Sequence, residues 1–164
     1  MLSVNRTNRR AFSLIELVIV VVIIGIIAAI AIPRMSRGAT GANESALGGN
    51  LSVLRKAVDL YQAEHDGTYP PAVTIADQLT KRSNSAGGVQ PTPGTDDNLF
   101  PFGPYLRAIP PLPVGVTNKG LSTFTTAALG TAGSGWHYTV ATGAIKANTP
   151  AGEVDSSSKL YSDY

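Results

Sequence analysis

Cysteine is absent from the 164-residue chain, which removes disulfide frameworks, thiol nucleophiles and thiolate metal sites together. If the domain lies outside the cytoplasm, burial and backbone pairing must hold it without covalent help. Histidine is almost missing as well. His65 and His137 are the only two, and neither has a second ligand at metal spacing. His65, flanked by Glu64 and Asp66 at the end of a helical pattern, reads as a solvated polar residue. Charge is sparse at 15% of residues and nets only +2. The basic side chains are neither clustered nor interleaved with aromatics, so nucleic acid is not expected as a partner. No G-x-S-x-G, H-E-x-x-H or phosphate-loop pattern occurs. Gly130, Gly133 and Gly135 read as a loop entering a strand. An enzyme therefore has no residue constellation behind it.

What the chain does have is one long apolar run. Residues 12–32, "FSLIELVIVVVIIGIIAAIAI", contain a single charged side chain, Glu16. As a helix they would span roughly 32 Å, the thickness of a bilayer core. Arg6, Arg9 and Arg10 precede the run and Arg34 and Arg37 follow it. A carboxylate inside such a segment is disfavoured by about 2.5–3.5 kcal/mol on insertion scales unless something pairs with it. Three readings compete. A secretory signal peptide would use Ala29-Ile30-Ala31 as a small-x-small cleavage site, and Arg9-Arg10-Ala11-Phe12 has part of the look of a twin-arginine signal. Against it, the run exceeds the usual length and Glu16 interrupts its start. A plain signal anchor explains length and flanking charge, and leaves Glu16 as a side chain that snorkels to the interface.

The third reading uses every feature. The basic leader, residues 1–11, followed by "FSLIELVIVVVIIGIIAAIAIP", resembles the N-terminus of type IV prepilins and of the pseudopilins of type II secretion systems. That resemblance implies cleavage by a prepilin peptidase between Ala11 and Phe12, N-methylation of Phe12, and retention of residues 12–33 as membrane anchor and later filament core. Where the family has glycine before the cut, this chain has Ala11, small enough for a narrow subsite. The resemblance further implies that Glu16 of one subunit meets the Phe12 amine of another. In low dielectric such a pair fixes register, because any other offset strands two charges. Pro33 lacks a backbone donor and is expected to kink the helix.

Beyond Pro33 the helical pattern resumes and sharpens at Leu47, Leu51, Leu54, Val58 and Tyr61, with Arg55, Lys56, Asp59 and Glu64 largely off that face. Asp66-Gly67 and Tyr69-Pro70-Pro71 stop it. One bent helix of roughly 50 residues is expected, its second half ending near residue 67. Residues 68–164 hold most of the glycines and prolines. They read as a loop-rich globular part with a short helix from Ile75 to Arg82, an extended "GPYLRAIPPLPV" offering Tyr105, Leu106 and Ile109 to the core, and a closing β-hairpin. In the hairpin Trp136, Tyr138 and Val140 alternate, Ala141-Thr142-Gly143 turns, and Ile145 begins the return. The expected class is α+β, a long helix packed by a small antiparallel sheet.

The segments "LYQAEHDGTYP", "GPYL" and "GW.Y" narrow the resemblance to the major pseudopilin of type II secretion. It implies a helical homopolymer working with an inner-membrane assembly platform and minor pseudopilins. The N-terminus would be cytoplasmic and the globular part periplasmic. No cofactor is required. The resemblance does bring in calcium, for which Asp96, Asp97, Glu153 and Asp155 are oxygen donors by chemistry alone. Two alternatives stay open: a type IV, minor or competence pilin of a surface filament, and an uncleaved periplasmic binding domain on a tether.

Overall fold

The computed structural model describes residues 12–94 and 97–164. Its elements are α1 (Leu14–Glu64), α2 (Ile75–Thr80), β1 (Phe124–Thr125), β2 (Trp136–Thr139), β3 (Ala144–Ala147) and a 3₁₀ turn, Tyr161–Asp163. The chain divides into two compact units, Met1–Ala39 and Thr40–Tyr164.

In the first unit every described residue from Leu14 onward is helical. Each large apolar side chain from Phe12 to Ile32 is at least 41% exposed. The helix assignment runs through Pro33 without a break.

In the second unit the expected stripe is the heart of the core. Leu47, Leu51, Leu54, Val58 and Tyr61 are all buried, in one cluster with Ile75, Leu79, Leu112, Trp136, Tyr138 and Ile145. Steps of four and three place these side chains on one helix face, and each fully buried one contributes about 1.5–3 kcal/mol relative to exposure. The helix stops as the Asp66-Gly67 pair requires. Both residues have positive φ, and Gly67 N–H returns to Gln62 O at 2.9 Å, the six-to-one bond of a Schellman ending. α2 closes two residues earlier than expected, at Thr80, because Lys81 is already extended and Ser83 bridges to Phe102.

The hairpin forms in the register Trp136↔Ala147 to Thr139↔Ala144. Trp136 and Tyr138 point inward and Ile145 and Ala147 meet them, as a period of two demands. Val140, expected to continue the alternation, lies past the strand end and is exposed. The sheet differs from a purely antiparallel one. A third strand, β1, adds to β2 in parallel, Phe124 opposite Trp136. Two glycines are forced. A side chain at Gly135 would sit 2.0 Å from the Leu121 carbonyl, and Gly143, at φ +68°, lies 2.3 Å in the same sense from the Tyr69 ring.

Polar side chains fix the loops that no strand reaches. Asn148, fully buried, donates to the carbonyls of Thr131 and Ser134 at 2.8 and 2.7 Å and accepts from Gly130 N–H at 2.8 Å. Asn118 donates to Thr131 O and Asn148 O and accepts from Gly133 N–H. The proline pairs are held by ring donors: Tyr138 OH donates to Pro70 O at 2.9 Å and Trp136 Nε1–H to Pro110 O at 2.8 Å. Arg55, off the apolar stripe of the helix, is half-buried and donates to the backbone oxygens of Ile145 and Tyr164 at 3.0 and 2.7 Å.

Asn148→Ala is expected to destabilise the fold by about 1–3 kcal/mol, because the part-buried Ser134 carbonyl and Gly130 N–H lose the side chain that pairs them, while Thr131 O keeps Asn118. Chemical denaturation of the purified full chain in detergent measures this, and the loss should exceed that of the exposed Asn98→Ala.

Candidate processing and assembly site

The N-terminal site is built from the helix start. Ser13 O accepts from the amides of Glu16 and Leu17 at 3.1 and 3.3 Å, and Glu16 Oε2 accepts from Ser13 N–H at 3.0 Å. Ser13-Leu14-Ile15-Glu16 thus forms one limb of a capping box, in which the acid three residues into the helix satisfies an amide that has no helical acceptor. The negative charge also lies at the positive end of the helix dipole, worth about 0.3–1 kcal/mol. The sequence signal for this arrangement is the S-x-x-E pattern, Ser13 to Glu16, directly before an apolar run. In the single chain the Glu16 carboxylate is therefore held by the Ser13 amide. Phe12 is 85% exposed. Ala11, the other side of the expected cut, lies outside the described residues.

The environment after Glu16 is uniform. No other acid or base occurs before Arg34, and the surface presented is aliphatic on all sides. A helix apolar all round is one that lipid or other helices must cover. α1 contains a stretch long and apolar enough to cross a membrane.

Comparison with known families identifies this same stretch. Residues 6–32 carry the prokaryotic N-terminal methylation motif. The motif is that of prepilins and type IV pilins, and a long N-terminal helix over a small sheet agrees with that family. Pilin-type proteins are structural, and the sequence offers neither a catalytic motif nor a cysteine. The apolar prepilin-like helix is consistent with a membrane-anchored topology. No curated protein and no solved structure matches the chain.

Calcium, which the pseudopilin resemblance implied, finds no converging set of acidic side chains among the described residues. The ion takes six to eight oxygens, whereas the acids here are engaged one by one. Asp155 accepts from Tyr164 OH and from the amides of Ser157 and Lys159, the latter two at 2.7 and 2.9 Å. Glu153 Oε1 accepts from Val116 N–H at 3.1 Å, and Asp97 from Gln90 Nε2 at 2.8 Å. Glu153 Oε2 and Thr149 Oγ1 are buried without a partner, but no second carboxylate joins them. Among the described residues no group of three or more His, Cys, Asp or Glu side chains converges. Asp96 lies outside them. The C-terminal loop is instead tied by protein groups: Glu44 on α1 accepts from Ser156 N–H and Oγ–H at 2.8 and 2.7 Å, and the Lys159 ammonium sits 4.0 Å from the Tyr164 ring centre.

His65 overturns the reading of a solvated residue. It is 4% exposed, stacked on Tyr61 with ring centres 3.8 Å apart, with Nδ1 bonded to Tyr61 O at 2.9 Å and Nε2 facing Ser83 Oγ at 3.1 Å. The helix period returns position 65 to the face of Tyr61, and Phe102 then covers it.

The Asp155–Tyr164 bond sets a pH window. The hydrogen bond from Tyr164 holds the Asp155 carboxyl below its ordinary 3.8, and the same bond raises Tyr164 to about 12. A lowered acid contributes stability above its unfolded value and loses it as pH falls. A raised phenol contributes below its unfolded 10.0 and loses it as pH rises through about 12. The loop should therefore be tied from roughly pH 4 to 10 and loosen outside that window. Amide hydrogen exchange at Ser157 and Lys159 measures this, and Asp155→Asn should give fast exchange at these amides with the acid step gone.

Proposed function

We propose that this protein is a structural subunit of a periplasmic pseudopilus of the type II secretion kind. It is cut between Ala11 and Phe12, methylated on Phe12, and polymerised through its apolar helix. The observation that carries this reading is the conjunction of an aliphatic helix exposed on every side with one carboxylate, Glu16, in its first turn. The three segments that resemble the major pseudopilin add support, because their aromatic residues meet in one place. Tyr61 packs edge-on to Tyr105 at 5.9 Å, and both belong with Trp136 and Tyr138 to the core and its margin.

The mechanism is assembly. Lipid tails are as apolar as the side chains of residues 12–32, so moving the helix from bilayer to a bundle of like helices has almost no hydrophobic cost, and packing decides the outcome. Glu16 supplies the directional element. In the single subunit its carboxylate is spent on the Ser13 amide. On assembly it turns to the cationic Phe12 amine of a neighbour, exchanging a capping bond of about 1 kcal/mol for a charge pair in low dielectric. Pro33, with no N–H to give the carbonyl of Ala29, is the place where the helix bends to suit its neighbours. The prepilin peptidase, the inner-membrane platform and minor pseudopilins are the partners this reading calls for. The globular unit faces the periplasm.

N-terminal sequencing of protein purified from membranes is expected to begin at methylated Phe12. A start at Met1 would make the chain a tethered domain, and a start at Ile32 a secreted one, and either would end the pseudopilin reading. Glu16→Ala should leave processing intact and reduce sheared filaments at least tenfold, one charge pair's worth. Filaments of normal number and register from that variant would remove Glu16 from the mechanism.

A further inference from the structure

An open cavity of about 570 Å³ lies between α2 and β1. Ile75 is buried at its base, Ile109 and Phe124 are half-buried along it, and Val73 stands at its lip 98% exposed. Arg107 is the only charged side chain on the lining. It is exposed, and no acceptor among the described residues takes its guanidinium.

The cavity runs along an unfinished sheet edge. In the order β1-β2-β3, the outer side of β3 is closed by the turn Tyr161–Asp163 and by Arg55, which takes the Ile145 carbonyl. The outer side of β1 has no such cover. Thr123 O accepts from Trp136 N–H at 3.0 Å, with Phe124 opposite Trp136. In a parallel ladder of that register the intervening residue, Phe124, turns its own N–H and C=O away from β2. Its carbonyl receives only a long contact from Ser134 Oγ at 3.4 Å. Ser122, Thr123 and Phe124 line the cavity and no residue of β2 or β3 does.

We propose that this groove receives the C-terminal end of a partner's extended peptide. The peptide pairs with the backbone of Phe124, lays an apolar side chain over Ile75, Ile109 and Phe124, and sets its terminal carboxylate on Arg107. An unpaired edge beside a row of pockets is the arrangement that strand addition uses, and a guanidinium matches a carboxylate bidentately. The edge is two residues long, which accommodates a chain end rather than a strand passing through. The proposal does not rest on the filament reading: Arg107 and β1 would bind such a peptide whether or not the chain polymerises.

The test uses the full chain in detergent micelles and a dye-labelled peptide of alternating threonine and valine with a free valine carboxylate, followed by fluorescence anisotropy. The free acid is expected to bind at least tenfold more tightly than the same peptide as its C-terminal amide. Arg107→Gln should erase that difference, and N-methylation of the penultimate peptide amide should weaken binding further. Arg107 is exposed, so circular dichroism of the variant should be unchanged. Equal binding of acid and amide, an Arg107→Gln variant that still distinguishes them, or no binding at millimolar peptide overturns the proposal. Equal tightness of an amide-capped peptide carrying an internal glutamate also overturns it, as an acidic side chain would then be the ligand. Loss of self-association on Arg107→Gln without any effect on peptide overturns it in favour of a second copy of the chain.

Discussion

The globular unit depends on one mutual burial. A single stripe of α1, Leu47 through Tyr61, and the inward residues of a hairpin of two four-residue strands share a core with no covalent link. The strands are too short to be stable alone, and the helix stripe has no other sheet to cover it. Each exists because the other removes its apolar face from water. The aromatic residues of that core also carry the polar handles on which the irregular backbone hangs. Trp136 and Tyr138 each bury a ring and spend their one donor on a proline-pair carbonyl. Proline cannot pair as a strand does, but its carbonyl accepts normally, and a buried ring donor is how these segments are held without a ladder.

The same economy explains the long loops. Among the described residues between 83 and 134 the only strand or helix is β1, yet Asn118 within that stretch and Asn148 beyond it are fully buried with donors and acceptors both used. An amide side chain can serve two carbonyls and an N–H at once, so two asparagines replace a missing strand. Arg55 and Glu44 do likewise from α1, one collecting backbone oxygens near the C-terminus and the other binding Ser156. The C-terminal loop is thereby closed by protein donors and acceptors, with Asp155 accepting from Ser157 N–H, Lys159 N–H and Tyr164 O–H.

The first unit obeys the opposite rule. Nothing in it is buried from residues 12 to 32 except by halves at Ala28 and Ala31, and its only carboxylate is engaged with the backbone of its own first turn. Such a helix is finished only by its surroundings. Its capping bond is local and weak enough to be given up, which is what allows Glu16 to serve both a solitary subunit and an assembled one on the proposed reading.

Periodicity alone determined much here. The length of α1, the five-residue stripe, the stop at Asp66-Gly67 and the inward pair Trp136 and Tyr138 follow from steps of 3.6 and 2 and from turn chemistry, which are local properties of the chain. The apolar run and its lone acid were equally plain, because hydropathy and charge need no fold to be read. Tertiary structure decided the rest. His65 is buried because Phe102 and Ser83 arrive from distant sequence. Arg55, off the stripe, is half-buried because Ile145 and Tyr164 are brought to it. β1 exists as two residues in parallel with β2, a pairing too short to leave a pattern. Those outcomes depend on which remote groups meet, and a contact between residues 90 or 109 positions apart has no signature in either residue's neighbourhood.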